Sequence, residues 1–167
     1  MDTNEGIQHL YDVVNDFDVV MLVTHTANAI HARPMAIAHL DEGIGAYLVT
    51  NINSIKVNEI NVNPNALLTF QNARKFASVR GEVTVLHDRL LIETMWKETW
   101  KLWFPDGQSD PNIALLKFTA YEGEYWDNAG MQGLKYVYDV AKAYVAGEAP
   151  KTTDAQHAKV SLYSLAS

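Results

Sequence analysis

The sequence predicts a mainly β domain with flanking helices, in which six antiparallel strands form a barrel or a sandwich. Three observations lead there. Six runs rich in β-branched and aromatic residues are separated by Asn, Gly and Asp turns. In 76–87, Ala77, Val79, Gly81, Val83 and Val85 alternate with Ser78, Arg80, Glu82 and Thr84, as in an antiparallel sheet with one wet face. The helices interrupt a β meander instead of alternating regularly with strands, which disfavours a doubly wound parallel sheet.

Ile7, Leu10, Tyr11, Val14 and Phe17 recur at helical spacing and predict an opening helix over 4–16. Strands are expected at 18–25, 30–40 and 45–50, then at 65–72, 76–87 and 113–122, with helices at 54–62, 88–103 and 131–146. From Gly147 the chain is polar until Val160, so this tail is expected to be mobile or docked on a partner. With 167 residues, 48% hydrophobic and no low-complexity linker, the length suits one domain, 1–147, and a tail, 148–167.

Thirteen Lys and Arg stand against 20 Asp and Glu, and the net charge of −7 opposes non-specific binding to nucleic acid or an anionic membrane. The charge is uneven. Residues 1–32 hold no Lys or Arg, whereas 33–80 hold Arg33, Lys56, Arg74, Lys75 and Arg80 against Asp41, Glu42 and Glu59, which suits a small anionic ligand. No apolar run approaches membrane-spanning length, and Met1-Asp2-Thr3-Asn4-Glu5 lacks the basic and apolar regions of a signal peptide, so a cytoplasmic location is expected. The absence of cysteine rules out disulfides, thiolate metal sites and Cys nucleophiles.

The segment Thr50-Asn51-Ile52-Asn53-Ser54-Ile55-Lys56 ends a strand and starts a helix. Ser54 suits the N-cap, but Val57 stands where a capping box has Glu or Gln. Lys56 in the first turn opposes the macrodipole unless an anion joins it; backbone amides, a hydroxyl and an ammonium would then converge on one phosphate. The competing reading is a surface helix that tolerates one lysine. In strand 30–40 the even positions Ile30, Ala32, Pro34, Ala36 and Ala38 are small or apolar and are expected to pack. The odd positions His31, Arg33, Met35, Ile37 and His39 are long and are expected to reach outward. Pro34 cannot donate a ladder hydrogen bond and belongs at an edge or open seam. Arg33 there could meet a phosphate bidentately and Met35 could lie on a flat ring, although a surface Arg and a core Met fit the same pattern.

These residues resemble the pyridoxamine 5'-phosphate oxidase-like flavoproteins, whose split-barrel fold binds flavin mononucleotide (FMN) at a homodimer interface. Thr50-Asn51-x-x-Ser54-x-Lys56, with Ile60 and Asn63-Pro64, is similar to the family's phosphate segment, and Arg33-Pro34-Met35 to its flavin strand. Gly81 and Glu124-Tyr125-Trp126 extend the match over about 15–127, and Trp103-Phe104-Pro105 brings it nearest the bacterial general stress protein branch. The resemblance implies a six-stranded antiparallel split barrel. It also implies that Arg33, Ser54 and Lys56 hold the phosphate, that Val49 and Thr50 line the isoalloxazine beside Pro34, Met35, Asn51 and Trp103, and that Trp126 reaches it from the second subunit.

The departures bear on activity. The true oxidases carry a Lys where this chain has Ala38, a Gln where it has Phe76, and Arg-Leu-His-x-Arg where it reads Met131-Gln132-Gly133-Leu134-Lys135-Tyr136. Lys135 alone is a point charge and not a fork, so the substrate clamp of a pyridoxal phosphate enzyme is missing.

The stripe Ile92, Trp96, Trp100 and Trp103 reads as a packing face or as a lid that ends at Pro105. The six histidines form no metal set: His31 and His39 lie eight strand residues apart, roughly 26 Å at about 3.3 Å per residue. His31 shares Arg33's strand face and could donate a proton to a substrate, or be a solvated histidine. No Ser-His-Asp order or carboxylate pair stands out, so no residue is assigned a catalytic role. Two functions fit: an FMN-dependent oxidoreductase with an unidentified small-molecule electron donor or acceptor, and a non-enzymatic flavin-storage or stress-sensing protein. An interaction domain without cofactor is the third.

Overall fold

The computed structural model describes residues 3–128, 142 and 157–162. Along these run α1 (Thr3–Val14), β1 (Val19–His25), β2 (Ile30–Leu40), β3 (Ala46–Asn51), α2 (Ile55–Val62), β4 (Asn65–Gln71), β5 (Lys75–Leu86), α3 (Arg89–Met95), β6 (Ile113–Asp127) and β7 (His157–Ser161). Two 3₁₀ segments, Glu98–Leu102 and Gly107–Ser109, lie between α3 and β6. The six expected strands and the first two helices are therefore present, and the expected helix 131–146 falls outside the described residues.

Antiparallel pairing runs β3-β2-β1-β4-β5-β6, and β3 also pairs with β6, which closes a six-stranded barrel. Period-two alternation sends Val20 and Leu22, Leu68 and Phe70, Val79 and Val83, and Leu116 and Phe118 inward, all nearly inaccessible. Each such side chain contributes about 1.5–3 kcal/mol on burial. Leu10, Val13 and Val14 of α1 join this core, and α1 packs on β5, β6 and β7. On the other side of β3 and β6 a second cluster gathers Ala38, Val49, Ile113 and Leu115 under Ile92, Trp100 and Phe104. Gly81 has a steric reason: a Cβ there would stand 2.1 Å from the Thr119 carbonyl oxygen, where the β5–β6 register shifts.

Three expectations are corrected. In β2 the long positions do not all reach outward: Met35 and Ile37 are buried in the barrel, while Ile30 and Pro34 are exposed. The register slips between Ile37 and His39, and beyond this irregularity the odd position, His39, turns out again as His31 does at the start of the strand. The helix 88–103 is broken, because Trp96 (ψ 134°) and Lys97 (ψ 132°) are extended. Lys97 Nζ there donates to the Ile37 carbonyl at 3.1 Å, and Trp96 Nε1 to Glu98 at 2.9 Å. Finally, tail residues His157–Ser161 dock on their own chain as β7, paired with Glu122–Trp126. No helix among the described residues is long and apolar enough to cross a membrane.

Candidate functional site

β2 meets β3 only from Ile37 onward, where Ile37 faces Leu48. Before that point the two strands part, since β3 keeps pairing with β6 through Asn51 while β2 stays with β1. Pro34 lies in this opened stretch, where its missing N–H breaks no ladder bond. The split leaves a wedge between Pro34-Met35-Ala36 and Val49-Thr50-Asn51. Trp103 and Phe104 lean over it, giving a cavity of about 390 Å³ lined also by Val19 and Lys56. Its walls are mainly apolar.

One end is polar because β3 turns straight into α2. Asn51 Oδ1 accepts the Asn53 amide at 2.8 Å, and Ile52 and Asn53 bond to Asn112, which fixes the turn. Ser54 occupies the N-cap in extended conformation, yet its hydroxyl makes no capping bond and lies 3.4 Å from Thr50 Oγ1. The sequence expectation of a capping hydroxyl is corrected here: that oxygen is left facing Thr50. Lys56 Nζ donates to the same Thr50 oxygen at 3.2 Å. Burial first, then the Arg33 charge, lower the Lys56 pKa from its ordinary value of 10.5, against a raising influence from Glu59.

Arg33 turns to a carboxylate. Its Nη2 donates to Glu59 Oε2 at 2.7 Å and its Nη1 to Thr24 Oγ1 at 2.5 Å. Thr24 in turn donates to Glu59 Oε2 at 2.7 Å, and His31 Nδ1 lies 2.5 Å from Glu59 Oε1. Glu59 is only 6% exposed. Burial pushes its pKa up, but hydrogen bonds from Thr24, His31 and Arg33, with the guanidinium charge, outweigh that and hold it below 4.5. These groups border a second, open chamber of about 610 Å³, shared with the first at Pro34, Met35 and Lys56.

Of the residues expected at the site, Pro34, Met35, Val49, Thr50, Asn51, Lys56 and Trp103 line one cavity. Arg33 borders the adjoining chamber, and Ser54 reaches the site through Thr50. Trp126 is placed elsewhere, paired in register with Phe76 and stacked on His157 at 4.9 Å. Sequence reasoning missed Glu59 and Thr24 as Arg33's partners. The available signal was Glu59 lying three residues after Lys56, between Val57 and Ile60 that the helix buries.

The outer face of β1, β2 and β4 carries Val19, Met21, Val23 and Leu67, partly exposed, and Ile30 is 76% exposed. Among the described residues no group of His, Asp and Glu could hold a metal ion.

Known structures share this architecture. A protein related to general stress protein 26, of the pyridoxinephosphate oxidase family, from Clostridium acetobutylicum is 25% identical with a TM-score of 0.68, over 76% of this chain and 91% of its own. A general stress protein 26 assignment from a Jannaschia species superposes with TM-score 0.70 at 24% identity, over 92% and 96% of the two chains. A general stress FMN/FAD binding protein from Xanthomonas citri gives 0.62 at 22% identity, over 77% and 89%. No curated protein sequence matches. Matched by the family's profile over residues 5–151, the chain belongs to the pyridoxamine 5'-phosphate oxidase-like family.

Proposed function

We propose that the cavity binds FMN and that the protein is an FMN-dependent oxidoreductase of the general stress protein type. The observation that supports this most is Lys56: a half-buried ammonium at the start of α2, opening onto an apolar wedge, with no ion-pair partner among the described residues. The residues fit the group. Val49, Met35, Pro34 and Trp103 offer flat apolar surface to a tricyclic ring, and Lys56 with the Thr50 and Ser54 hydroxyls offers donors to a phosphate. FMN, when bound, supplies hydride and one-electron chemistry, and the chain's part is to anchor, orient and exclude water. Purified protein should bind FMN in calorimetry with a flavin absorption spectrum; failure to bind would remove the assignment.

The uncovered face of β1, β2 and β4 supports a homodimer, which would cover that apolar surface and bring Trp126 of the second copy toward the wedge. Light scattering decides this, and a flavin-loaded monomer would refute it. The absence of cysteine accords with a cytoplasmic protein.

The protein is not proposed as a pyridoxamine phosphate oxidase. After Trp126 the chain offers Gln132, Leu134 and Tyr136 with Lys135 as the lone charge, and each missing charge-assisted contact is worth roughly 1.5–3 kcal/mol. An oxygen-uptake assay with pyridoxine 5'-phosphate should show no turnover, and a rate near one per second would overturn this. A storage or sensing role is the second reading, favoured by a cavity that the described residues line without His, Asp or Glu. Rapid reduction of the bound flavin by NAD(P)H or another small donor separates the two, since a store reduces slowly with all of them.

A further inference from the structure

The second chamber holds chemistry that ring binding and the Lys56 anchor do not use. Its wall brings together His31 and Arg33 from β2 with Lys56 and Glu59 from α2. Glu59 is the keystone: one oxygen takes Arg33 and Thr24, the other takes His31 Nδ1. A carboxylate only accepts, so Nδ1 carries the proton and the second ring nitrogen of the neutral imidazole, Nε2, is left as an acceptor. The His31 side chain lines the chamber and is 47% exposed.

Charge counting gives this arrangement a use. Arg33 and Lys56 against Glu59 leave the chamber at +1 with His31 neutral and at +2 with it protonated. A phosphomonoester near neutrality carries between one and two negative charges, its second pKa lying near 6. On β1, His25 is turned to Asn63, whose Nδ2 lies 2.8 Å from its Nε2. A bound anion adds negative charge beside His31 and so favours the imidazolium.

We infer that His31 is the protonatable arm of an anion chamber: a phosphomonoester dianion enters beside Lys56 and Arg33 together with one proton taken up at His31 Nε2. The one bond formed is Nε2–H, and its proton is given up by solvent. Applied to FMN, the inference rests on the flavin reading above, and it makes His31 a phosphate-site residue outside the Thr50–Lys56 segment.

The test follows the His31 ring by NMR, its resonance identified by its loss in His31→Asn, through pH titrations of the full-length protein. Four samples are compared: protein alone, with saturating FMN, with saturating riboflavin, and with inorganic phosphate at millimolar concentration. The inference expects the His31 midpoint to rise by about one unit or more with FMN and with phosphate, and to stay in place with riboflavin. Between the free and the bound midpoints FMN affinity should then fall about tenfold per pH unit, a slope that His31→Asn removes. If FMN binds and the midpoint does not move, the inference fails while the flavin reading stands. If phosphate moves the midpoint but FMN does not bind, the chamber stands and the flavin reading fails. If FMN does not bind and phosphate does not move the midpoint, both are overturned.

Discussion

The Arg33 guanidinium and the Glu59 carboxylate meet at 2.7 Å, and the acid is the more deeply buried partner. One of the two cations nearest the wedge is thereby neutralised inside its own chain. Among the described residues Lys56 is left as the cation whose charge is answered only by a hydroxyl at hydrogen-bond distance. In the proposed FMN complex phosphate discrimination would therefore fall mainly on Lys56, while Glu59 fixes where Arg33 can point.

Lys56→Ala should weaken FMN about ten- to a hundredfold, the equivalent of roughly 1.5–3 kcal/mol for a charge-assisted contact, and leave riboflavin nearly unchanged. Calorimetry with both ligands reads the difference. Equal losses would show that Lys56 acts through the fold or the ring.

Glu59→Ala should cost about 3 kcal/mol in urea unfolding, since it strands Arg33 and Thr24 without their acceptor. The pH dependence has a definite sign. The folded-state pKa of Glu59 is depressed below 4.5, so its contribution is present above that value and is lost as pH falls through the folded pKa. The stability gap between wild type and Glu59→Gln should be constant near neutrality and shrink below about pH 4.5. A gap that widens on acidification would contradict the Arg33 pairing.

Trp100 and Trp103 should separate stability from ligand binding. Trp100 is 1% exposed and Trp103 is 55% exposed at the cavity edge. Trp100→Ala should cost about 3–5 kcal/mol, whereas Trp103→Ala should change unfolding by less than about 1 kcal/mol while weakening flavin binding. Comparable destabilisation by both would mean that Trp103 packs as part of the second cluster.

Two glycines make a paired test of backbone closeness. At Gly81 the added methyl meets the Thr119 carbonyl at 2.1 Å, but at Gly123 it meets the tip of Leu10 at 2.3 Å. Backbone cannot step aside and a leucine can. Gly81→Ala should therefore lower the unfolding free energy by more than about 2 kcal/mol, and Gly123→Ala by clearly less. The reverse order would show that the β5–β6 irregularity is soft.

The strands were legible because each half-buried strand repeats every two residues, and the turn residues between them are local. The faces of β2 were not. Size alone placed Met35 outside, whereas the barrel takes Met35 and Ile37 and leaves the small Pro34 and Ala36 where a cavity needs room. The break at Trp96 has no proline or glycine to announce it; it follows from partners 60 residues away in sequence, such as the Ile37 carbonyl that Lys97 reaches. Lys56, Thr50 and the Pro34 seam could be read from spacing, since one short segment carries the first two. Glu59's hold on Arg33 joins residues 26 apart through a helix–strand packing that no local pattern encodes.

The barrel is sealed by a single late-arriving strand. Residues 46–51 wait for 113–118 before they have a second neighbour, since β2 covers only part of β3. Closing so long a chain segment costs more entropy than forming any of the hairpins, so this seam should be the slowest to gain protection in pulse-labelled refolding. Val49, Thr50 and Asn51 lie on it. The wall of the binding wedge is then the last surface the folding chain completes, and a ligand present during refolding meets its site only when the molecule is otherwise finished.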